Sequence, residues 1–464
     1  LSVTTAVQNT LVGGLAGDAL TTGGENVAFG YAALSTETTG SSNVALGSLS
    51  LLSQNGATAN TAVGYNAGRS ITTGTKNVIM GTFAGDAFTD ADFNVALGYG
   101  ALTADTLGSR SVAVGYNALS SQNFSTATET MNTAIGFGAA GSVSTGTENT
   151  IIGSEAGDAL TTGIQNVAIG VNALGQETDG TYNVAVGREA LKTSNGGTYN
   201  IGIGRTAGML ITTGIRNVIM GGNAGDALTD ADHNVAIGFQ ALTTDTLGSR
   251  SIAIGHNALA NQNFTTATNS NNVAIGYSAG DATTTGVQNT YLGAEAGDAV
   301  TTGTNNLYVG YGAGTADTQS TQTTIVGAQA GTSFNPGSAI SYTTIVGFQA
   351  GYYNATGTGN TYVGHRAGFG VSGNSQSGNT VVGALAFDAV TTGNNNTIYG
   401  NQAGDAITTG SKNIMIGQHS DPSAASGNDQ IVIGNDTTGG GNSTVRFGTS
   451  AATCTINLDG SDTS

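Results

Sequence analysis

The chain has 464 residues, of which 75 are Gly and only 2 Pro, with 9% charged, so it is neither collagen-like nor a charged disordered segment. Its 29 acidic and 11 basic residues give a net charge of −18, which repels nucleic-acid phosphates and anionic lipid surfaces, and neither is expected as a partner. No run of about 18 apolar residues is present to insert into a bilayer as a helix.

In chain order, Leu1 is not followed by a signal-peptide pattern, and the first residue reads as the start of a processed or partial chain. From Asn9 onward one five-residue phrase, plainest as Asn166-Val167-Ala168-Ile169-Gly170, recurs 25 times, the last copy being Gln430–Gly434. Twenty copies begin with Asn, and the spacing is 17 residues at all but four steps, which are 21, 21, 20 and 19. A fixed period of this length marks a repeat architecture. Seventeen residues cannot hold a strand, a crossover helix and two loops, but they hold two short strands and two corners. The expected fold is therefore all-β, a parallel β-solenoid of about 25 coils over residues 1–434, rising about 4.8 Å per coil into a rod on the order of 120 Å. Residues 435–464 read as a Gly-rich linker and a small β segment, with Val445–Phe447 and Cys454–Leu458 as strands of a separate module and Cys454 buried.

Within each phrase the first and third residues after the start, such as Val27 and Phe29, share a face under period-two alternation and are expected inside the coil. The fourth, Gly in all copies, predicts positive φ or a close backbone approach at a corner, as at Gly30, Gly170 and Gly238. Three residues later Ala stands in 22 copies and predicts a second short strand. The starting Asn, as at Asn26, Asn166 and Asn234, stacks on its equivalents in an amide ladder. The residue between the two presumed core positions never turns polar, and from Asn289 onward it enlarges, as in Tyr291, Tyr308, Ile325, Ile345 and Tyr362. Placed outside, these residues need a cover that the chain does not supply, so they are expected to form the interface between copies of the chain.

Four lengthened coils project loops carrying Phe124, Phe264, Phe334, Tyr342 and Phe369, which either contact a receptor or tuck over the insertion. Asp281 over Asp298, and Asp388 over Asp405, stand one coil apart at equivalent corners and are weak candidates for sharing a cation; solvated turn carboxylates are the preferred reading. His233, His256, His365 and His419 are scattered without metal-ligand spacing. No catalytic residue and no cofactor are assigned. Residues 71–136 and 211–276 match at an offset of 140, so whole coils have been duplicated.

The phrase NVAIG followed by a small-residue segment resembles the NSVAIG-type head repeats of trimeric autotransporter adhesins over about residues 9–434. That resemblance implies a left-handed β-roll and a homotrimer. Repeats with corners such as Thr212-Thr213-Gly214 and Asn217 are also similar to those of tail-fibre and appendage proteins of tailed phages. The ending Leu458–Ser464 resembles the segment that precedes a self-cleaving intramolecular chaperone in phage fibres, although the Ser-Asp-x-Arg-x-Lys motif of that domain is missing. The resemblance implies a non-enzymatic structural or adhesive fibre of a virion. Its partners would be copies of itself, other tail proteins and a host receptor or glycan. The alternatives are a bacterial cell-surface adhesin, whose heptad stalk and membrane-anchoring barrel are not visible, and an ice- or glycan-binding solenoid. The latter is disfavoured because Thr-Thr-Gly phrases occupy corners and Trp is lacking.

Overall fold

The computed structural model describes residues 5–449 and 451–457. The chain divides into two units, Leu1–His233 and Asn234–Ser464, which share one architecture. No helix forms among the described residues. Each phrase supplies one three-residue strand, from Thr10–Val12 to Val218–Met220 in the first unit and from Val235–Ile237 to Ile431–Ile433 in the second. Within a unit each strand runs parallel to the next and in register, so that Val27, Ala28 and Phe29 face Val44, Ala45 and Leu46. Both units are thus parallel β-solenoids with one coil per repeat.

Alternation along the strand holds, but its faces are the reverse of the sequence expectation. Ala28 is buried completely, whereas Val27 and Phe29 are 39% and 53% exposed. Every residue assigned to an outer interface lies in the core of its own chain: Tyr291, Tyr308, Ile325, Ile345 and Tyr362 are all fully buried. The physical reason is volume compensation. Eight residues after the phrase start, the coil places another side chain in the core, and it is Leu34 or Leu51 where the strand centre is Ala. Where the centre is Tyr291, that position is Gly297, and a Cβ there would stand 2.5 Å from the tyrosine ring. Growth at one position is matched by loss at the other, so no external cover is needed for these residues.

The expected second strand is absent as well. After the corner glycine the chain runs through six consecutive turn residues. Ala32 and Leu34 both adopt positive φ, 54° and 57°, which a β-strand does not allow. Their N–H groups point along the stack in opposite senses: Ala32 N–H donates to Gly14 O in the preceding coil, and Leu34 N–H to Ser50 O in the following one. Backbone satisfaction between coils thus does not require a strand. Short extra strands occur in two lengthened coils, where Gly108–Ser109 pairs with Thr128–Glu129 and Gly248–Ser249 with Thr268–Asn269.

Two sequence expectations about single residues are realised in detail. At the corner, Gly30 has φ 142°, and a Cβ there would lie 2.5 Å from Gly47 O of the next coil. Only glycine fits on both counts. The starting Asn is buried and forms the ladder: Asn26 Oδ1 accepts from Asn43 N at 3.0 Å, and Asn26 Nδ2 donates to Gly40 O at 2.9 Å. Asn166 repeats this with Asn183 N and Gly180 O, and Asn234 Nδ2 donates to Gly248 O. Gly170 and Gly238 have the corner φ of 132° and 136°.

The end of the chain departs from the separate module expected there. Thr444–Thr449 continues the parallel stack on Ile431–Ile433 and then pairs antiparallel with Ala452–Asn457. Cys454 is exposed on that hairpin instead of buried. Leu458 and the chaperone-junction segment up to Ser464 lie outside the described residues.

Candidate functional site

With the faces reversed, the side chains that alternation turns outward are those of the first and third phrase residues, and most of them are aliphatic. Along the first unit they include Val27, Phe29, Leu46, Val78, Met80 and Ile135, each exposed by more than a third. In the second unit Ile275, Leu292, Tyr399 and Ile416 continue the same pattern. An aliphatic outer face repeated coil after coil is far longer than the scattered exposed hydrophobics of ordinary surfaces.

Beside this face runs a column of aromatic side chains, contributed mainly by the residue that follows each corner glycine. Tyr65, Phe83 and Tyr99 meet edge-on at 5.7 and 5.9 Å between ring centres. Tyr99, Tyr116 and Phe137 then stack nearly parallel at 5.4 and 5.2 Å. In the second unit Phe239, His256 and Tyr277 stack at 5.5 and 5.4 Å. These are the same positions after the 140-residue offset. Because the rings cover one another's faces, they present mainly edges outward. A flat sugar that needs an open ring face finds little purchase on Tyr116, both of whose faces are occupied. The column was missed in the sequence because attention fell on the phrase itself; the aromatic residue just after its glycine was the available signal.

The loop aromatics divide. Phe124, Phe264 and Phe334 are buried and seal their insertions, as the second of the two sequence readings has it. Phe369 is half-buried against Tyr352 and Tyr353, with the Arg366 guanidinium 4.0 Å from its ring centre. Tyr342, 69% exposed, is the one of the five that projects into solvent.

Of the paired carboxylates, Asp281 and Asp388 are engaged by the protein's own groups. Asp388 is held 3.3 Å from Arg366, a cation the protein itself supplies. Asp281 Oδ1 accepts from Asn261 Nδ2 at 3.2 Å. Burial raises the carboxyls of Asp281, Asp298 and Asp388 above the ordinary range, with His256 opposing the shift at Asp281 and Arg366 opposing it at Asp388. Asp405 stands near Asp421, whose carboxyl is pushed up to about 6, first by burial and then by that neighbouring charge. Among the described residues no group of three or more His, Cys, Asp or Glu is arranged to hold a metal.

A shallow hollow of about 210 Å³ opens between Phe93, Arg110 and the insertion at Thr128 and Glu129. Lys76 and Arg110 lie 4.8 and 5.8 Å from the Phe93 ring centre, but Arg110 is already paired with Glu129 at 2.9 Å. Comparison of the chain with protein-family models, with curated proteins and with solved structures finds no match.

Proposed function

We propose that the chain is the shaft of a homotrimeric fibre of a tailed phage, which joins other tail proteins to a host-cell receptor or glycan and performs no catalysis of its own. One observation carries this reading: the aliphatic strand face repeats coil after coil within each unit, flanked by aromatic stacks over Tyr65–Phe137 in the first unit and Phe239–Tyr277 in the second. Copies of the same chain present the same face, so they cover one another over any number of coils. The resemblance of the phrase to trimeric adhesin heads supplies the number three, and that to phage appendages supplies the location. Steric regularity supports a mechanical role, since whole coils have been duplicated without disturbing the core.

The test is native mass spectrometry of the unmodified protein beside the variant Tyr99→Ser/Tyr116→Ser/Phe137→Ser. A trimer that falls to monomer in the variant while circular dichroism stays unchanged is the expected result. A monomer for the unmodified chain overturns the reading. Release of oligosaccharides from host envelope polymers by the purified protein would overturn its non-catalytic part.

A further inference from the structure

Eleven residues after each phrase start, the coil turns a side chain fully into the core, and this position does not follow the 17-residue rule. From the second coil to the eighteenth it carries a carboxylate on every fourth coil, at Glu37, Asp105, Glu177, Asp245 and Asp317, all completely buried; four coils further on it is Val390. No Lys, Arg or His is paired with any of them in an ion pair. A buried, unpaired charge is among the least favourable things a core can hold, so its recurrence needs a cause.

The first four carboxylates make the same three contacts. Each accepts from the N–H three residues on in its own turn: Gly40 at 2.6 Å, Gly108 at 3.0 Å, Gly180 at 2.7 Å and Gly248 at 3.1 Å. Each accepts from a polar side chain one coil further on: Gln54 at 3.0 Å, Gln122 at 2.6 Å, Ser194 at 2.7 Å and Gln262 at 2.6 Å. Each also accepts from a backbone N–H in that next coil, from Gly56 and Gly196 at 2.7 and 2.8 Å, from Phe264 at 3.1 Å, and from Phe124. Asp317 departs from the set, since its partners are Ser320 and the Tyr308 hydroxyl.

The two coils after each of the first three pairs are of a different kind. They place Ile71 and Phe88, Val143 and Leu160, or Ile211 and Leu228 at the same position. The residue three before it changes in step, being Leu in the polar coils, as Leu34 and Leu51, and a small residue in the apolar ones. A Cβ on Gly85 would stand 2.6 Å from the Phe88 ring, and one on Gly225 would stand 2.9 Å from Leu228. From Glu37 to Leu228 coils therefore come in the order acid, amide or hydroxyl, apolar, apolar; after Asp245 and Gln262 the next two are Thr283 and Val300, and Asp317 is followed by Phe334.

We propose that these buried carboxylate clamps are a register device, which fixes the coil that stacks on each coil when the array folds. The phrase, its glycine corner and its Asn ladder are alike in every repeat, so they tolerate a skipped coil, with one repeat looped out and its neighbours stacked together. The clamp does not. Skipping one coil sets Glu37 against Ile71 in place of Gln54 and leaves the carboxylate buried with only the Gly40 N–H of its own turn, because the Gln54 amide and the Gly56 N–H leave with the looped-out coil. Only a slip of four coils restores the pattern. Buried polar groups that fix register at some cost in stability have this use in coiled coils.

The device is tested by disulfide trapping during refolding, in the full chain carrying Cys454→Ser. Ser42, Ala59 and Lys76 are exposed at equivalent points of three successive coils. Neighbouring coils lie about 4.8 Å apart, within reach of a disulfide, whereas coils two apart lie beyond it. The pair Ser42→Cys/Lys76→Cys therefore closes only when the intervening coil is skipped, and Ser42→Cys/Ala59→Cys closes in the native stack. The clamp is removed without changing the packing style by Leu34→Gly/Glu37→Ile with Leu51→Gly/Gln54→Phe, which copies the two coils that follow. After dilution from denaturant the skipped disulfide is expected to rise at least tenfold in this variant over the native clamp. Equal, negligible amounts in both overturn the proposal. Should the fourfold variant fail to fold, Glu37→Gln in the same cysteine background decides: more skipped product than with Glu37 supports the device, and no increase refutes it.

Discussion

The coils around Ala28 and Ala45 and the coils around Tyr291 and Tyr308 solve one packing problem in opposite ways. In the first region the strand centre is a methyl group and the turn supplies Leu34 and Leu51; in the second the centre is a tyrosine ring and the turn has only Gly297 and Gly314 at the same positions. Strand pairing is the same in both, parallel and in register. A coil interior is thus a fixed volume shared among three positions, and the identity of any one is decided by the others. An apparent change of environment along the array, from small to aromatic, is a change of tenancy inside a constant space.

The largest effect is expected where the ring alone fills that space. Tyr308→Ala empties the centre of its coil opposite Gly314 and takes a hydroxyl partner from buried Asp317, so a loss of about 3–5 kcal/mol is expected from chemical denaturation. Ala45→Tyr makes the converse error in the first region, overfilling a coil flanked by Leu34 and Leu51, at roughly 1–3 kcal/mol. Adding Leu34→Gly/Leu51→Gly should return most of that loss. If it does not, the two regions do not share one volume.

The Asn ladder is common to both regions and should respond equally in both. Asn60 Oδ1 accepts from Asn77 N at 2.9 Å and Asn306 Oδ1 from Thr323 N at 3.0 Å. Asn60→Ala and Asn306→Ala each leave a buried N–H unpaired and should cost about 1–3 kcal/mol by the same measurement. A large difference between them would show that the central residue reaches the ladder.

Acidification should raise stability in both regions. Burial pushes up the carboxyls of Asp105 in the first and of Asp317 and Asp421 in the second, the last to about 6. A carboxyl raised on folding above its ordinary value of 3.8 takes up a proton as the chain folds. Its contribution is complete below the unfolded value and is lost as pH rises through the folded one. The melting temperature should therefore climb from pH 7 toward about 4, and Asp421→Asn should flatten the upper part of that climb. A melting temperature that falls steadily over this range contradicts the assignment. Smallest of all, Val78→Ser on the outer face should change the stability of the isolated chain by under about 0.5 kcal/mol. Its effect belongs to assembly, and a large loss in a monomeric background would return that residue to the core.

The period, the corner glycine and the Asn ladder were legible in the sequence because each depends on one residue type in one local geometry. The face of the strand was not. Alternation tells which residues share a side, but it is silent about which side is inward when both are apolar. Size suggested that Val27 and Phe29 outrank Ala28 for the interior, and this fails because Leu34 and Glu37, distant by a turn, already occupy the interior. The second strand was misread for a related reason. Small residues after the glycine suit an extended segment as well as a turn, whereas Ala32 and Leu34 take positive φ and pair with opposite neighbours. The aromatic column needed a comparison of residues 17 apart outside the phrase, and the clamps needed the same comparison at every fourth repeat.

The four-coil recurrence of the buried carboxylates also governs how such a gene changes length. Inserting or deleting a single repeat by unequal recombination would separate an acid from its amide or set two apolar coils beside an orphaned one. An exchange of four repeats, or a multiple of four, preserves every pair. The matching stretches 71–136 and 211–276 are offset by 140 residues, which carries Asp105 and Gln122 onto Asp245 and Gln262. With such a clamp, variants of this array differing by one, two or three repeats would carry a folding defect from the start, whereas the eight-coil offset of the visible duplication keeps acid and amide together.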